Sequence, residues 1–289
     1  MQTVWLDGDF RDAAAAVDAG DRGLLLGDGV FDTALVVGGT VFLGEKHVDR
    51  LVAALAVLQI PLDRSAIETA MTALAERQQT GSIRLTVTRG TGPRGLGLPP
   101  EPKPMLLGTS APLAPALMFS PLRCAVSTVR RNETSPLSRL KALGYLDAVL
   151  ALQKAKEEGA DDVLFLNARG MAACSALANL FVVDGFELLT PPLKDGVLPG
   201  IIRGWIIDNA ENFGLRPLEQ SISSKKLDAV DGLFLTNSLR LISPATLSGK
   251  AAAADRPETV RRLMEGLCEA IGSACGTDPR DLGARLLLD

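Results

Sequence analysis

Lys141 is the residue of this chain best suited to act as a nucleophilic amine. It stands in SPLSRLKALGYLD, after a strand-like run and a short polar loop and before an apolar helical pattern. Desolvation in a partly dry cleft disfavours the charged form of a lysine, and the neutral amine is what forms a Schiff base. By position alone it would equally serve as a solvated lysine at a helix start. The remaining inventory is sparse. His47 is the single histidine, which excludes most Ser-His-Asp and Cys-His catalysis unless His47 is itself the base. Cys124, Cys174, Cys268 and Cys275 show no CxxC spacing, so no zinc site is expected. Proton transfer must then run on lysine, tyrosine, carboxylates or a cofactor.

The elements that would position Lys141 follow from pattern. TVWLDGDF alternates like paired strands, and ALVVGGTVFLG reads as a hairpin turning at Gly38-Gly39. A helix from about His47 to Leu58 carries Val48, Leu51, Leu55 and Leu58 on one face. Ser65 and Glu68 form a capping box that opens a second amphipathic helix through Ile67, Met71 and Leu74. SIRLTVTRG and PMLLGTSAPL are strands, separated by a Gly- and Pro-rich loop from Gly90 to Pro104. Three prolines between Ala111 and Pro121 suggest a domain connection. RCAVSTVRR, DDVLFLN, NLFVVDGFELLT (turning at Asp184-Gly185) and GLFLTN read as strands. A helix is expected from Leu143 to Glu158, another opens at Pro199-Gly200 through Ile201, Trp205 and Ile206, and a terminal one runs from Glu258 to Ala274. Ala251 to Ala254 is the one low-complexity stretch, and no internal repeat is visible. The order is mixed α and β, without strict βαβ repetition.

Bulk properties bound the function. With 289 residues, 47% hydrophobic and 22% charged, the chain can bury a full core in one large or two medium domains. Its net charge of −4 and the lack of a long basic run argue against nucleic acid as partner. There is no apolar run of membrane-spanning length and no basic-then-apolar leader pattern at MQTVWLDGDFRD, so neither membrane insertion nor export is expected. We therefore read a cytoplasmic, reduced protein.

DRGLLLGDGVFDT, KHVDRL, TRGTGPRG, SRLKALGYLD, ANLF, LPGIIR and LTNSLRLISP occur in that order. Each is weak alone. Together, from about residue 2 to 245, the pattern resembles the class IV aminotransferase family of pyridoxal-phosphate (PLP) enzymes. That family includes branched-chain aminotransferases, D-amino-acid aminotransferases and 4-amino-4-deoxychorismate lyase. The resemblance implies a mixed α/β, two-domain fold of type IV, with the active site in the interdomain cleft, and a homodimer. The smaller N-terminal domain would cover residues 1–113, a linker 114–120, and the larger PLP-binding domain 121–289.

The same resemblance assigns roles. Lys141 would form the Schiff base with PLP. Arg50, in KHVDRL, would pair with the cofactor phosphate, which suits a bidentate guanidinium. Gly200, Ile201 and Ile202 of LPGIIR would form a phosphate cup at a helix N-terminus. Ser238 would add its hydroxyl and Leu239 its N–H, while Asn237 closes a turn. Tyr145, the only tyrosine, would lie one helical turn after Lys141 and bond the cofactor's phenolic oxygen. Phe31 and Thr33 would line the substrate side, next to Asp32 where glutamate is more usual. Arg94 would bind the substrate carboxylate, with Leu96 two positions later where family members carry histidine or an aromatic. His47 is read as structural.

The largest departure is Cys174. In GMAACSALANLF it occupies the place of a family glutamate that keeps the pyridine nitrogen of PLP protonated, and no acidic residue lies between Asn167 and Asp184. A protonated ring is the better electron sink. A thiol, with an ordinary pKa of about 8.5, offers only a weak hydrogen bond. The expected activity is transfer of an amino group between an amino acid, of branched-chain or D type, and a 2-oxo acid. The alternative is 4-amino-4-deoxychorismate lyase, giving 4-aminobenzoate and pyruvate.

Overall fold

A computed structural model describes residues 3–13, 17–227, 229–230, 232–249 and 258–286. The Ala251–Ala254 stretch lies outside the described residues. The chain divides into two compact units. The first comprises Met1–Leu113, Leu140–Gly144 and Ala274–Thr277; the second comprises Ala114–Arg139, Tyr145–Ser273 and Asp278–Asp289.

The first unit is a six-stranded antiparallel sheet with two helices on one face. Its strands are β1 (Thr3–Leu6), β2 (Asp9–Asp12), β3 (Gly29–Val37), β4 (Thr40–Val41), β5 (Gly81–Thr88) and β6 (Met105–Pro112), in the order β2-β1-β6-β5-β3-β4. A one-turn helix α1 (Arg22–Leu26) precedes β3; α2 (Gly44–Leu58) and α3 (Arg64–Gln78) follow β4. Period-2 alternation sorts β3 and β5 into two faces. Val30, Ala34, Val36, Ile83, Leu85 and Val87 pack on Val48, Leu51 and Leu55 of α2 and on Ile67, Met71 and Leu74 of α3. The intervening residues, among them Phe31 and Thr33 opposite Thr86 and Arg84, face the other way.

The second unit contains β7 (Leu122–Arg131), α4 (Leu146–Glu157), β8 (Asp162–Asn167), β9 (Met171–Ser175), β10 (Asn179–Asp184), β11 (Glu187–Thr190), α5 (Ile201–Asn209), β12 (Arg216–Glu219), β13 (Ile222–Ser223), α6 (Ser224–Leu227), β14 (Gly232–Asn237), β15 (Leu241–Leu247) and α7 (Glu258–Cys275). The sheet order is β12-β11-β10-β14-β15-β7-β8-β9-β13. A further pairing of β9 with β10, at Cys174 and Asn179, closes six of these strands into a ring. Leu122, Leu164, Leu180, Val182, Leu235 and Ile222 form the main core of this unit. No helix among the described residues is long and apolar enough to cross a membrane, and no group of His, Cys, Asp or Glu among them is arranged to hold a metal ion.

Two sequence expectations are corrected. Ser65 is not an N-cap: α3 starts at Arg64 with Asp63 in the cap position and no side-chain cap bond. Glu68 instead pairs with Arg64 at 2.6 Å, so the capping box does not form. The helix expected from Leu143 begins only at Leu146. Residues 141–143 run as an extended segment against β3: Phe31 N–H donates to the Lys141 carbonyl at 2.9 Å, and Leu143 N–H to that of Gly29 at 3.2 Å. Those bonds hold the backbone extended, so Lys141 and Tyr145 do not share a helix face. Tyr145 is the N-cap of α4.

Candidate active site

In the first unit β3 delivers Phe31 to one face of the sheet and Asp32 to the other. Asp32 is buried against α2, where it meets two residues of the KHVDRL motif. Its Oδ2 accepts from Arg50 Nε at 2.8 Å and its Oδ1 from Arg50 Nη2 at 2.9 Å. His47 Nδ1 lies 2.6 Å from Asp32 Oδ1. An ionised carboxylate only accepts, so this geometry places the His47 proton on Nδ1. Burial alone would raise the Asp32 pKa, but the charge of Arg50 and the hydrogen bond from His47 bring it down to about 2. The spacing of His47 and Arg50, three residues apart on a helix, is what lets one carboxylate take both.

Lys141 reaches the same cluster from its extended segment. Its Nζ lies 4.5 Å from the centroid of the Phe31 ring. Burial, the Arg50 charge and the Arg84 charge, opposed by Asp32, lower its pKa to about 8. Arg84 stacks on Phe31 with its guanidinium carbon 3.6 Å from the ring centroid, a distance suited to cation–π attraction. Sequence reasoning missed Arg84. Alternation in SIRLTVTRG puts it on the exposed face of its strand, but only the β3–β5 register, with Thr33 opposite Arg84, shows that this face belongs to Phe31.

Of the residues predicted in this unit, the structure sets Arg50 on Asp32 and Lys141 beside Phe31. Thr33 stands one pair further along the sheet. Arg94 and Leu96 lie apart on the exposed loop of residues 90–104, with Leu96 83% exposed.

The second unit holds the other predicted positions. Cys174 is buried with Ala173 and Val197. Burial pushes its thiol pKa up, against a smaller lowering by Arg131, so the sulfur is a neutral thiol. Across the ring closure, Asn179 Nδ2 donates to the Leu198 carbonyl at 2.9 Å. A Cβ built on Gly200 would stand 1.9 Å from Asn179 Oδ1, so any larger residue must displace the Asn179 side chain. Gly200 is the N-cap of α5, with no side-chain cap bond. The N–H groups of Ile201 and Ile202 in the first turn have no partner within the helix by helical geometry. Such an N-terminus suits an anion. Asn237 Oδ1 accepts from the N–H of Leu239 at 3.0 Å and of Arg240 at 2.8 Å. The turn around Ser238 is therefore closed by Asn237, as the sequence suggests, and the Leu239 N–H is engaged within it. In the sequence Asn179 marks only the ANLF motif; its packing against Gly200 is not legible there.

The amino-transferase class IV family model matches residues 29–247. A Methanocaldococcus jannaschii protein, provisionally named as a branched-chain-amino-acid aminotransferase, is 33% identical over 247 residues, covering 83% of this chain and 86% of its own. A D-alanine aminotransferase of Listeria innocua is 28% identical, covering 91% and 93%. The crystal structure of 4-amino-4-deoxychorismate lyase from Pseudomonas aeruginosa superposes with a TM-score of 0.80 at 28% identity, covering 93% of this chain and 98% of that one. The chain belongs to the class IV aminotransferase family and has the type IV fold of these PLP enzymes. Its residues fit the family cofactor: a half-buried amine with a depressed pKa and a helix start where glycine leaves room beside Asn179 are both present.

Proposed function

We propose that this protein is a PLP-dependent aminotransferase that moves an amino group between an amino acid, of branched-chain or D type, and a 2-oxo acid. The observation that carries this reading is Lys141: a half-buried amine near Phe31 whose pKa of about 8 lets it both take and return a proton near neutrality. Bound there, PLP would supply an electron sink for carbanion chemistry at the substrate Cα. Lys141 holds the cofactor covalently at rest. It then moves the proton at Cα as general base and general acid, which agrees with a chain whose one histidine is committed to Asp32. Arg50 takes the cofactor phosphate, with Gly200, Ile201, Ile202 and Ser238 as its other contacts and Leu239 beside them, its N–H held by Asn237; Tyr145 takes the phenolic oxygen. Phe31, Thr33 and Leu96 line the substrate side. Arg84 from the sheet face and Arg94 from its loop receive carboxylates. Cys174 stands in for the family glutamate at the ring nitrogen.

One observation favours the lyase reading. A neutral thiol at Cys174 leaves the ring a weaker sink, and an elimination driven by aromatisation to 4-aminobenzoate depends on that sink less. A panel of amino donors and 2-oxo acids, run beside aminodeoxychorismate, separates the two. Amino transfer without pyruvate from aminodeoxychorismate supports the first; the reverse pattern overturns it. Borohydride reduction and peptide mapping should label Lys141, and label on another lysine would refute the assignment.

We also infer a homodimer in the cytoplasm. Leu146, Val149 and Leu150 form an exposed apolar stripe at i, i+3 and i+4 on α4, wide enough to want a cover. A light-scattering mass of one chain at micromolar concentration would contradict it.

A further inference from the structure

The DRGLLLGD motif has no part in the function just proposed, yet its Asp28 is shared by two buried arginines, Arg22 of the motif and Arg89. Asp28 Oδ2 accepts from Arg22 Nε at 2.8 Å and from Arg89 Nε at 2.8 Å, and its Oδ1 accepts from Arg89 Nη2 at 3.0 Å. Arg89 is fixed in turn to the end of α2, through the carbonyls of Gln59 at 2.9 Å and Leu58 at 2.7 Å. Arg22 is only 4% exposed. Its remaining reach is outward: Nη1 donates to the carbonyl of Gly95 at 3.1 Å, 73 residues away in sequence.

Gly95 directly follows Arg94 in the loop of residues 90–104. The base of that loop is pinched, since a Cβ on Gly90 (φ +79°) would fall 1.8 Å from the Lys103 carbonyl oxygen. Its first arm lies over Arg22: the Arg22 N–H donates to the Gly90 carbonyl at 2.9 Å, and a Cβ on Gly92 would meet Arg22 Cδ at 3.0 Å. Residues 91–98 are otherwise exposed. An exposed arm of this kind has few contacts to fix it, so the bond to Gly95 is a principal restraint on where Arg94 stands.

We propose that Arg22, braced by Asp28, is a positioning residue for substrate: it pins the Arg94–Gly95 backbone and so sets where the Arg94 guanidinium meets a substrate carboxylate. This rests on the reading of Arg94 as a carboxylate-binding residue. Asp28 accepts from Arg22 Nε and so orients its fork, leaving Nη1 for the loop. A lysine at position 22 keeps the charge opposite Asp28 but has no planar fork to span Asp28 and Gly95 together.

The test uses holoenzyme of Arg22→Lys, and of Gly92→Ala, which crowds Arg22 from the exposed loop without touching the core. Two readouts are followed: the rate at which trypsin cuts after Arg94, and kcat and KM for the carboxylate substrate. Loss of one hydrogen bond should raise both the cleavage rate and KM by about five- to tenfold, with kcat within about twofold. Unchanged cleavage in both variants overturns the proposal, as does a fall in kcat with loss of bound cofactor at unchanged KM, which would mark a merely structural arginine. Arg94→Ala is measured alongside. If its KM stays at the wild-type value, the reading of Arg94 fails and the substrate role of Arg22 falls with it; faster cleavage in Arg22→Lys would still show that the loop is anchored there.

Discussion

In the first unit the candidate site is built from charged side chains: Asp32 is held between Arg50 and His47, and Lys141 and Arg84 lie at the Phe31 ring. In the second unit the corresponding positions are neutral. A buried thiol, a glycine without room for a methyl group, a helix start and an Asn-closed turn offer backbone and shape rather than charge. The difference teaches where each unit is vulnerable. Removing a charge should damage the first, because a buried partner is left uncompensated. Adding volume should damage the second, because its geometry depends on close approach.

The largest effect is expected at Lys141. Lys141→Ala should lower turnover by at least roughly 10²–10⁴-fold, the usual worth of a positioned acid–base group, and abolish the borohydride label. Retention of wild-type turnover would remove the amine from the chemistry altogether. Asp32→Asn comes next. It leaves the Arg50 charge with a weaker partner, so a loss of up to about 3–5 kcal/mol of stability is expected, as for a broken buried pair. The pH dependence carries the sign. Asp32 has a folded pKa of about 2, below its ordinary 3.8, so its contribution is complete above that ordinary value. It is lost as pH falls through about 4 towards 2. Acid titration of stability should show that loss in wild type, and Asp32→Asn should flatten it; identical acid curves would mean the carboxylate is not held this way.

Gly200→Ala probes the second unit. The new methyl must displace Asn179 and its bond to Leu198, at about 1–3 kcal/mol as for overpacking. Weaker PLP retention with little change in net charge is the expected signature, measured by equilibrium dialysis. Unaltered retention would show that the helix start is not an anion site. The smallest effect is expected at Cys174. Cys174→Ser swaps one weak neutral partner for another and should alter the rate of α-proton exchange by less than about threefold, since neutral hydrogen bonds contribute only about 0.5–1.5 kcal/mol. Cys174→Glu should raise that rate if the longer side chain fits among Ala173 and Val197. A faster Ser variant or a slower, well-folded Glu variant would place the thiol elsewhere.

Much of this is legible in the amino-acid sequence. Strand-like runs locate most strands of both units, though β9, β12, β13 and β15 go unread, and seven short motifs in order point to the family, because each motif needs particular residue types for a local reason. What is not legible depends on pairing across distance. Arg84 is an ordinary exposed strand residue until β3 is laid beside β5. SRLKALGYLD has helical composition, which puts Lys141 at a helix start; its backbone bonds to Gly29 and Phe31 override that propensity. The S-x-x-E pattern at Ser65 fails for a similar reason, since Glu68 has Arg64 nearer to hand. The structural reading of His47 agrees with its burial against Asp32, but neither its partner nor that partner's hold on Arg50 is visible in KHVDRL alone.

The cluster around Lys141 carries a kinetic consequence. Below a pH of about 8 three cations share this part of the first unit: Arg50 on Asp32, and Lys141 and Arg84 at the Phe31 ring. A local excess of positive charge attracts anions over about 8–10 Å at physiological ionic strength. The apoprotein should therefore capture a phosphorylated cofactor faster in dilute buffer than in concentrated salt, and inorganic sulfate should slow that capture by occupying the same field.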